Sequence, residues 1–404
     1  MQRLLPLEGA LPEASSRPRW AIGVKGFRPF FLLSAIFAAA IVPIWLLVLY
    51  GLAPAPGPLD PTSWHAHEMV LGYAVGVIAG FLLTAVGNWT RRETAVGAPL
   101  LGLAALWALG RVAMFLGGIL PHALVALLDL AFLPVLVVVL ARPLAAARDR
   151  RNYGMLGILG ALFAANVVMH LAALGVVGTY AAREAALFAI DVVVLVILII
   201  AGRVFPMFTR NATGVTSIRS SRALDVLTIG AMALLAAMDA IAPAHEGGNV
   251  VAGIVGVLAI ARAAHWGIRH TARHPLLWIL HAGYAWLAFG LILRALAGIA
   301  PVIPAPLATH ALTVGAVGSL TLGMMARVSL GHSGRPLVAP RPAVWAFGAI
   351  TTAALVRVLA PLFAPRAYLQ ELVAAGALWT AAFVLFLVAY AGVLVSPRVD
   401  GKAG

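Results

Sequence analysis

The sequence contains no cysteine, and only 10% of its 404 residues are charged. Without thiols, the chain cannot form disulfides, iron–sulfur clusters, or thiolate-ligated haem or zinc, and it has no cysteine nucleophile. A soluble globular domain carries roughly 25% charged residues. The scarcity of charge therefore excludes a soluble enzyme, a secreted scaffold and a disordered protein.

Acidic residues are especially few, with 14 Asp and Glu against 28 Lys and Arg, which gives a net charge of +14. The arginines lie in short gaps between apolar runs and form no basic stripe with interleaved aromatic residues, so we expect no nucleic-acid partner. What the sequence has in abundance is apolar residues, at 62% of the chain, with a mean hydropathy of +1.00. The composition predicts a polytopic protein embedded in a lipid bilayer.

Apolar segments long enough to cross a bilayer recur along the chain. A transmembrane helix needs about 20 mostly apolar residues. Dividing the chain at charges and at Pro/Gly clusters predicts an all-α fold of twelve transmembrane helices, near 29–51, 65–87, 97–118, 121–142, 153–178, 184–204, 222–243, 248–267, 275–298, 305–328, 341–362 and 369–395.

The distribution of positive charge predicts the direction of these helices. Lys and Arg crowd the even-numbered gaps and both ends of the chain, whereas the odd-numbered gaps hold only Arg183 and Arg366. By the positive-inside rule, both termini are cytoplasmic. Residues 1–28 lack the apolar core of a signal peptide and are predicted to be a retained cytoplasmic tail. A single membrane domain, 29–395, and a short tail, 396–404, follow.

Several histidines fall within the predicted helices, where ionisable groups are costly and indicate function. Counting residues along each helix places His65, His67, His170 and His310 in one slab of the outer half of the membrane, with His281 lower. Imidazole suits iron, copper and zinc, and in a chain without thiolates it is the natural ligand of b-type haem or copper. We therefore predict that the first four form a metal cluster and that His281 belongs to it or to a second site below.

The segment WHAHEM, residues 64–69, allows two geometries. In a helix, His65 and His67 point about 200° apart, whereas in an extended turn they share one side. The Pro-rich segment that precedes it favours the extended turn. The alternative for each buried histidine is a hydrogen-bonded packing role without a metal.

Two arginines, Arg111 and Arg294, also lie in the outer thirds of their helices, as do Asp129 and Asp191. Each arginine either pairs with one of these carboxylates or holds an anionic group such as a haem propionate, for which guanidinium is well shaped. The sequence alone leaves both interpretations open.

An ordered series of motifs carries a family resemblance. It comprises FRPFF at 27–31, WHAHEM at 64–69, GFLLTAVGNWT at 80–90, LGR at 109–111, GRVFPMFTRN at 202–211, HPLLWILHAGYAWLAFGL at 274–291 and THALTVGAVGSLTLGMMARVSLGHSGRPL at 309–337. Through them, the chain resembles the NnrS family from about residue 25 to 395. The resemblance implies a twelve-helix protein of the bacterial inner membrane that contains haem b and copper and responds to nitric oxide and nitrosative stress alongside denitrification. The family's histidine motifs fall on His65 and His67, His274 and His281, His310, and His332.

Three classes of function follow. The first is an oxidoreductase that binds and reduces nitric oxide with electrons from quinol or a soluble donor, in which Glu68 relays protons and His170, His281, His310, Arg111 and Arg294 bind the cofactor. The second is a metal-loaded sensor or scavenger of nitric oxide without turnover. The third is a transporter of a metal or metabolite, which the absence of a clear internal repeat disfavours.

Overall fold

The computed structural model describes residues 20–57, 59–243, 245–300 and 303–402. Every regular element in these ranges is helical, which agrees with the predicted all-α class. Residues 1–19, most of the predicted N-terminal tail, lie outside the described residues.

Fifteen α-helices follow one another along the described chain. Their bounds are α1 Phe27–Leu49, α2 Pro61–His67, α3 Val75–Thr90, α4 Ala98–Phe115, α5 His122–Leu130, α6 Phe132–Ala146, α7 Gly154–Ala173, α8 Tyr180–Thr213, α9 Arg222–Ile241, α10 Glu246–Ala263, α11 Pro275–Ile299, α12 Ala305–His310, α13 Ser319–Gly331, α14 Arg341–Phe363 and α15 Tyr368–Val395. Short 3-10 turns lie at Arg150–Asn152, Ile268–His270 and Pro365–Ala367.

Twelve of the resulting helical units are long and apolar enough to cross a membrane, as the sequence predicted. The second unit, Pro61–Thr90, joins α2 to α3; the fourth, His122–Ala146, joins α5 to α6; and the tenth joins α12 to α13. With this number of spans, the protein is a multi-pass membrane protein. Their direction stays a prediction from the positive charges.

The sixth span is much longer than the sequence indicated. It was predicted at 184–204, but α8 continues through Pro206 to Thr213. Its 34 residues correspond to about 50 Å, longer than the roughly 30 Å hydrocarbon core. The motif at 202–211, which the prediction left in a loop, is therefore helical. This extension brings Thr209 against His281 of α11.

Four spans form the centre of the bundle. Of their most apolar stretches, 83%, 67%, 72% and 78% of the residues are buried in the second, sixth, ninth and tenth spans, against at most 50% in the others. The peripheral spans direct apolar side chains outward, as lipid contact requires. The central four spans carry His65, His67, His281 and His310, four of the five histidines predicted within the membrane.

Two π-helical segments interrupt the central spans. They run over Glu68–Ala74 and Ala311–Gly318, and each begins directly after a histidine, His67 or His310. Single π turns inside α-helices often mark functional sites because they shift the side chains on either side relative to each other. The second and tenth spans thus share a pattern of a short helix ending in histidine and followed by a π segment.

The entry into the second span corrects one expectation. WHAHEM is helical rather than extended, because Asp60 caps α2 by accepting hydrogen bonds from the backbone N–H groups of Thr62 and Ser63 at 3.0 and 3.1 Å. Pro61 occupies the first helical position, where its missing N–H costs nothing. His65 and His67 therefore point in different directions.

Candidate functional site

Three side chains from three different spans meet inside the membrane region. His67 ends α2, Asp129 lies near the end of α5 and His170 lies near the end of α7. The Nε2 atoms of His67 and His170 lie 3.2 and 2.9 Å from the same carboxylate oxygen, Oδ2 of Asp129. All three residues are buried, and their potential ligand atoms lie within 4.8 Å of one another. We call this group the His–Asp–His cluster.

Neighbouring side chains fix the orientation of His67. Its Nδ1 lies 2.8 Å from Oε1 of Glu68, and its Nε2 lies 2.9 Å from Oδ1 of Asn166. Both ring nitrogens thus face oxygen acceptors. The ring is either a doubly protonated imidazolium, or a neutral ring that donates Nδ1–H to Glu68 and turns the Nε2 lone pair towards a metal ion. The second state is the carboxylate–histidine–metal arrangement common in metal sites.

Arg111 of α4 joins the two carboxylates of the site. Its Nη1 donates to Oε1 of Glu68 at 2.6 Å, and its Nη2 donates to Oδ1 of Asp129. Two carboxylates and one guanidinium leave one negative charge in excess when both imidazoles are neutral. A buried charge of this kind is costly without a counter-ion, so the cluster suits a bound cation.

Two glycines make room for these contacts. A Cβ atom on Gly72 would lie 2.8 Å from Nη1 of Arg111, and a Cβ on Gly110 would lie 3.2 Å from Oδ1 of Asp129. These contacts explain the LGR motif at 109–111. Gly110 lets Asp129 approach closely, and Arg111 binds the carboxylate of Asp129.

The chemistry of the donor set is that of a transition-metal site. Two imidazole nitrogens with one carboxylate oxygen suit iron(II), copper or zinc. The 2.9 and 3.2 Å separations between donor atoms are close to the roughly 3 Å that separates ligands bound about 2.1 Å from one ion. The residues of the His–Asp–His cluster therefore fit a metal ion.

The two other outer histidines lie apart from this cluster. His65 stacks on Trp45 with ring centroids 4.1 Å apart, and its buried Nδ1 has no hydrogen-bond partner among the described residues. Nδ1 of His310 donates to the carbonyl of Pro306 at 2.7 Å, which leaves its Nε2 lone pair free. Both rings lie within electrostatic range of Arg357. The slab of four histidines predicted from the sequence thus divides into two groups.

His281 has the surroundings of a packed histidine. Its Nε2 lies 3.0 Å from Oγ1 of Thr209, and that hydroxyl donates to the carbonyl of Phe205 at 2.9 Å. The hydroxyl therefore accepts from Nε2–H, which leaves Nδ1 as the free lone pair. His281 touches no member of the His–Asp–His cluster among the contacts described above.

Both arginines proposed to hold cofactor groups have acidic partners. Arg111 binds Glu68 and Asp129, and Arg294 binds Asp191 and Asp239. Of the two interpretations that the sequence left open, these contacts agree with pairing of each arginine with carboxylates.

A cavity of about 530 Å³ lies at the opposite end of the bundle. Its lining includes His274, Arg273 and Asn211 at helix ends, and Arg327 near the end of α13. Arg327 is 7% exposed and lies over the ring of Phe208, 3.9 Å from its centroid. Among the described residues, no carboxylate lies within salt-bridge distance of its guanidinium. The cavity combines an imidazole with two guanidinium groups, and none of the described residues that line it is acidic.

Sequence reasoning missed the role of Asp129, which it treated only as a partner for Arg111. A lone aspartate in an otherwise apolar span was the available signal. Asn166, which lies four residues before His170 on the same helix face, also contacts the cluster, since its Nδ2 donates to Oδ2 of Asp129 at 2.8 Å. A carboxylate ligand could not be assigned because its partners lie on two other helices.

The comparisons with known proteins agree with the resemblance found in the motifs. A family model described as NnrS protein matches residues 22–398, nearly the whole chain. No curated protein matches the sequence.

Proposed function

The chain belongs to the NnrS family, and from this membership and the His–Asp–His cluster we propose that it is a metal-binding membrane protein that protects the cell from nitric oxide. The observation that carries the proposal is the convergence of His67 and His170 on one carboxylate oxygen of Asp129. We assign the metal to this cluster, with copper as the ion expected from the family resemblance.

The residues that line the 530 Å³ cavity support a binding site for haem b there. The 530 Å³ cavity offers His274 as an imidazole for iron and offers Arg273 and Arg327 for the two propionates. Arg327 is available for this role because it has no carboxylate partner among the described residues. Arg111 and Arg294 are less suited because carboxylates already neutralise them. Cofactor binding by His65, His281 and His310 stays a prediction, supported by the free ring nitrogen on each.

Haem and a copper ion would supply electron transfer and binding of a neutral diatomic gas. Nitric oxide is small and uncharged, so it reaches a buried site through lipid without a polar path. Reduction of two molecules to nitrous oxide and water consumes two electrons and two protons. We propose quinol or a soluble protein as the electron donor.

The residues of the chain supply the remaining steps. Asp129, Asn166 and Glu68 hold the two imidazoles in place, and Arg111 fixes both carboxylates. Glu68 is also the proposed proton relay, because it is hydrogen-bonded to His67 and is the nearest carboxylate in sequence to His65 and His67. The cluster lies where the second and fourth spans begin and the fifth ends, which is the predicted outer side of the bacterial inner membrane.

The cavity and the cluster lie at opposite ends of the bundle. The cavity is lined where the sixth and tenth spans end and the ninth begins. If haem occupies it, haem and copper are separate centres. This separation favours a non-catalytic sensor or scavenger over a reductase with a binuclear haem–copper centre. We keep the sensor or scavenger as the second candidate function.

Metal analysis and absorption spectroscopy of the purified protein test the proposal. We expect stoichiometric iron and copper and a haem Soret band. His67→Ala and His170→Ala should lose copper, whereas His122→Ala, at the start of α5 and outside the cluster, should keep it. A protein with neither metal above background would refute the proposal and leave the transporter interpretation.

Nitric oxide consumption by the reduced, metallated protein separates the two remaining functions. A reductase should consume the gas catalytically with a quinol analogue or a soluble donor and form nitrous oxide. A sensor or scavenger should bind it once per site, with a spectral change but no continued consumption.

A further inference from the structure

A second buried charged group lies in the bundle, apart from the His–Asp–His cluster. Arg294 of α11 donates through Nη1 to both carboxylate oxygens of Asp191, at 3.3 and 3.2 Å, and through Nη2 to Oδ2 of Asp239 at 2.5 Å. Asp191 lies on α8 and Asp239 on α9. One guanidinium thus bridges two carboxyl groups from two other spans.

The charges of this group do not balance. Asp191 and Asp239 are 1% and 5% exposed, and together they bear two negative charges when ionised, against one positive charge on Arg294. An uncompensated charge at membrane depth is expensive and calls for a counter-ion. The group therefore needs one more positive charge than its side chains provide.

The placement of the two carboxyl groups identifies that charge. Nη1 and Nη2 of the one Arg294 guanidinium hold the carboxyl groups of Asp191 and Asp239 close together, and ionised carboxylates offer only acceptors. Oδ1 of Asp239 is buried and, among the described residues, has no donor. A hydrogen bond between two carboxyl groups forms only when one of them carries a proton, as in other close carboxyl pairs.

A pocket of about 230 Å³ lies beside this group at one end of the bundle. Asp191, Asp239 and Arg294 line it together with the polar side chains of Asn249 and Thr309. Among the described residues of this lining, Glu184 in the first turns of α8 is the one further titratable residue. The pocket lies where the sixth, eighth and tenth spans begin, which is the end that also holds the His–Asp–His cluster.

We propose that Asp191 and Asp239 share one exchangeable proton and form a proton-binding site loaded through this pocket. The bound species is a proton delivered by water, and Arg294 holds the remaining negative charge. The site stands on its own contacts and does not depend on the proposed nitric oxide chemistry. If that chemistry is correct, the site supplies a proton store on the same side of the membrane as the metal.

Infrared difference spectroscopy of the full-length protein with isotopically labelled aspartate tests the proposal at neutral pH. We expect a carbonyl stretching band of a protonated aspartic acid that shifts in D₂O. Asp191→Asn and Asp239→Asn should each abolish this band. Asp239→Asn leaves a neutral one-to-one pair of Arg294 with Asp191, so we expect it to fold.

Two further variants make the result specific. Asp225→Asn removes the partner of Arg262 in a one-to-one ion pair, whose N···O distance is 2.6 Å, and should leave the band unchanged. Asp239→Glu restores a titratable carboxyl and should restore the band if Asp239→Asn has lost it.

Two outcomes would overturn the proposal. The wild type could lack the band, or the band could persist in both asparagine variants. A wild type that lacks the band and gains thermal stability with added Na⁺ or K⁺ would assign the counter-ion to a metal cation.

Discussion

The imidazole ring of His67 lies nearly edge-on to that of His170, with ring centroids 5.6 Å apart and ring planes inclined by 79°. The two residues are 103 positions apart and belong to the second and fifth spans. Asp129 on the fourth span lies between them and within hydrogen-bond distance of both rings. This relationship of two crossed rings on one carboxylate underlies the first predictions.

Replacing the shared carboxylate should release the metal. Asp129→Asn removes the negative oxygen that both imidazoles face and leaves a side chain of nearly the same shape. We expect about 100-fold weaker copper binding, or more, since even the outer partners of metal ligands contribute 10–100-fold. Titration with a competing chelator measures the affinity. Asp225→Asn is the matched control, and equal affinity in the two variants would place the metal elsewhere.

Glu68 is expected to orient His67 as well as to relay protons. Glu68→Gln keeps an oxygen near Nδ1 of His67 but removes the charge that stabilises the ring and binds Arg111. We expect copper affinity to fall about 10–100-fold. Unchanged affinity together with slower nitric oxide consumption would instead leave proton relay as its only role.

The closest glycine contact at the site should be intolerant of a methyl group. Gly72→Ala places a Cβ 2.8 Å from Nη1 of Arg111, so the guanidinium must move away from Glu68 and Asp129. We expect a loss of about 1–3 kcal/mol in the free energy of unfolding, as for overpacked cores, together with weaker copper binding.

Gly102→Ala provides the control for that substitution. Gly102 lies on α4, two turns before Gly110, and a Cβ there would meet no atom within 4 Å. Thermal unfolding in detergent should show no loss of stability in this variant. Equal destabilisation of the two alanine variants would mean that the arginine contact does not determine the result.

Haem retention should depend on the unpaired arginine of the large cavity. Arg327→Gln removes a guanidinium that is free to bind a propionate, and we expect the Soret absorbance per protein to fall several-fold. Arg341→Gln, an exposed arginine at the start of α14, should retain full haem content. If both variants keep their haem, then haem lies outside this cavity.

The cap of α2 gives a pH-dependent prediction. Burial raises the pKa of Asp60, but hydrogen bonds from Ser63 and Thr62 lower it more, so the net pKa lies below its ordinary value of 3.8. Its ionised form therefore stabilises the fold at neutral pH, and this contribution is lost as the pH falls through the lowered pKa. Asp60→Ala should lose about 1 kcal/mol at pH 7.

Asp60→Asn separates the charge of this cap from its hydrogen bonds. Asparagine also caps helices, so this variant should be nearly as stable as the wild type at pH 7. The small difference between them should shrink as the pH falls below 3.8 and through the lowered pKa of Asp60. A difference that grows in acid would contradict the assigned direction of the pKa shift.

The sequence by itself determined the number and class of the spans. Bilayer thickness imposes a length on every crossing helix, so apolar runs and the charges between them mark all twelve, from Phe27 to Val395. The same cost of burying charge singled out His67, His170, Arg111 and Arg294, because polar groups within apolar spans stand out in a linear sequence.

Only the tertiary structure decided which of these groups meet. Helix capping by Asp60 makes the WHAHEM segment helical and so turns His65 and His67 in different directions, which does not follow from hydropathy. The selection of Asp129, rather than His65 or His310, as the partner of His67 depends on how the second, fourth and fifth spans pack. Contacts between residues so far apart in sequence arise from side-chain packing across helices, which local patterns do not encode.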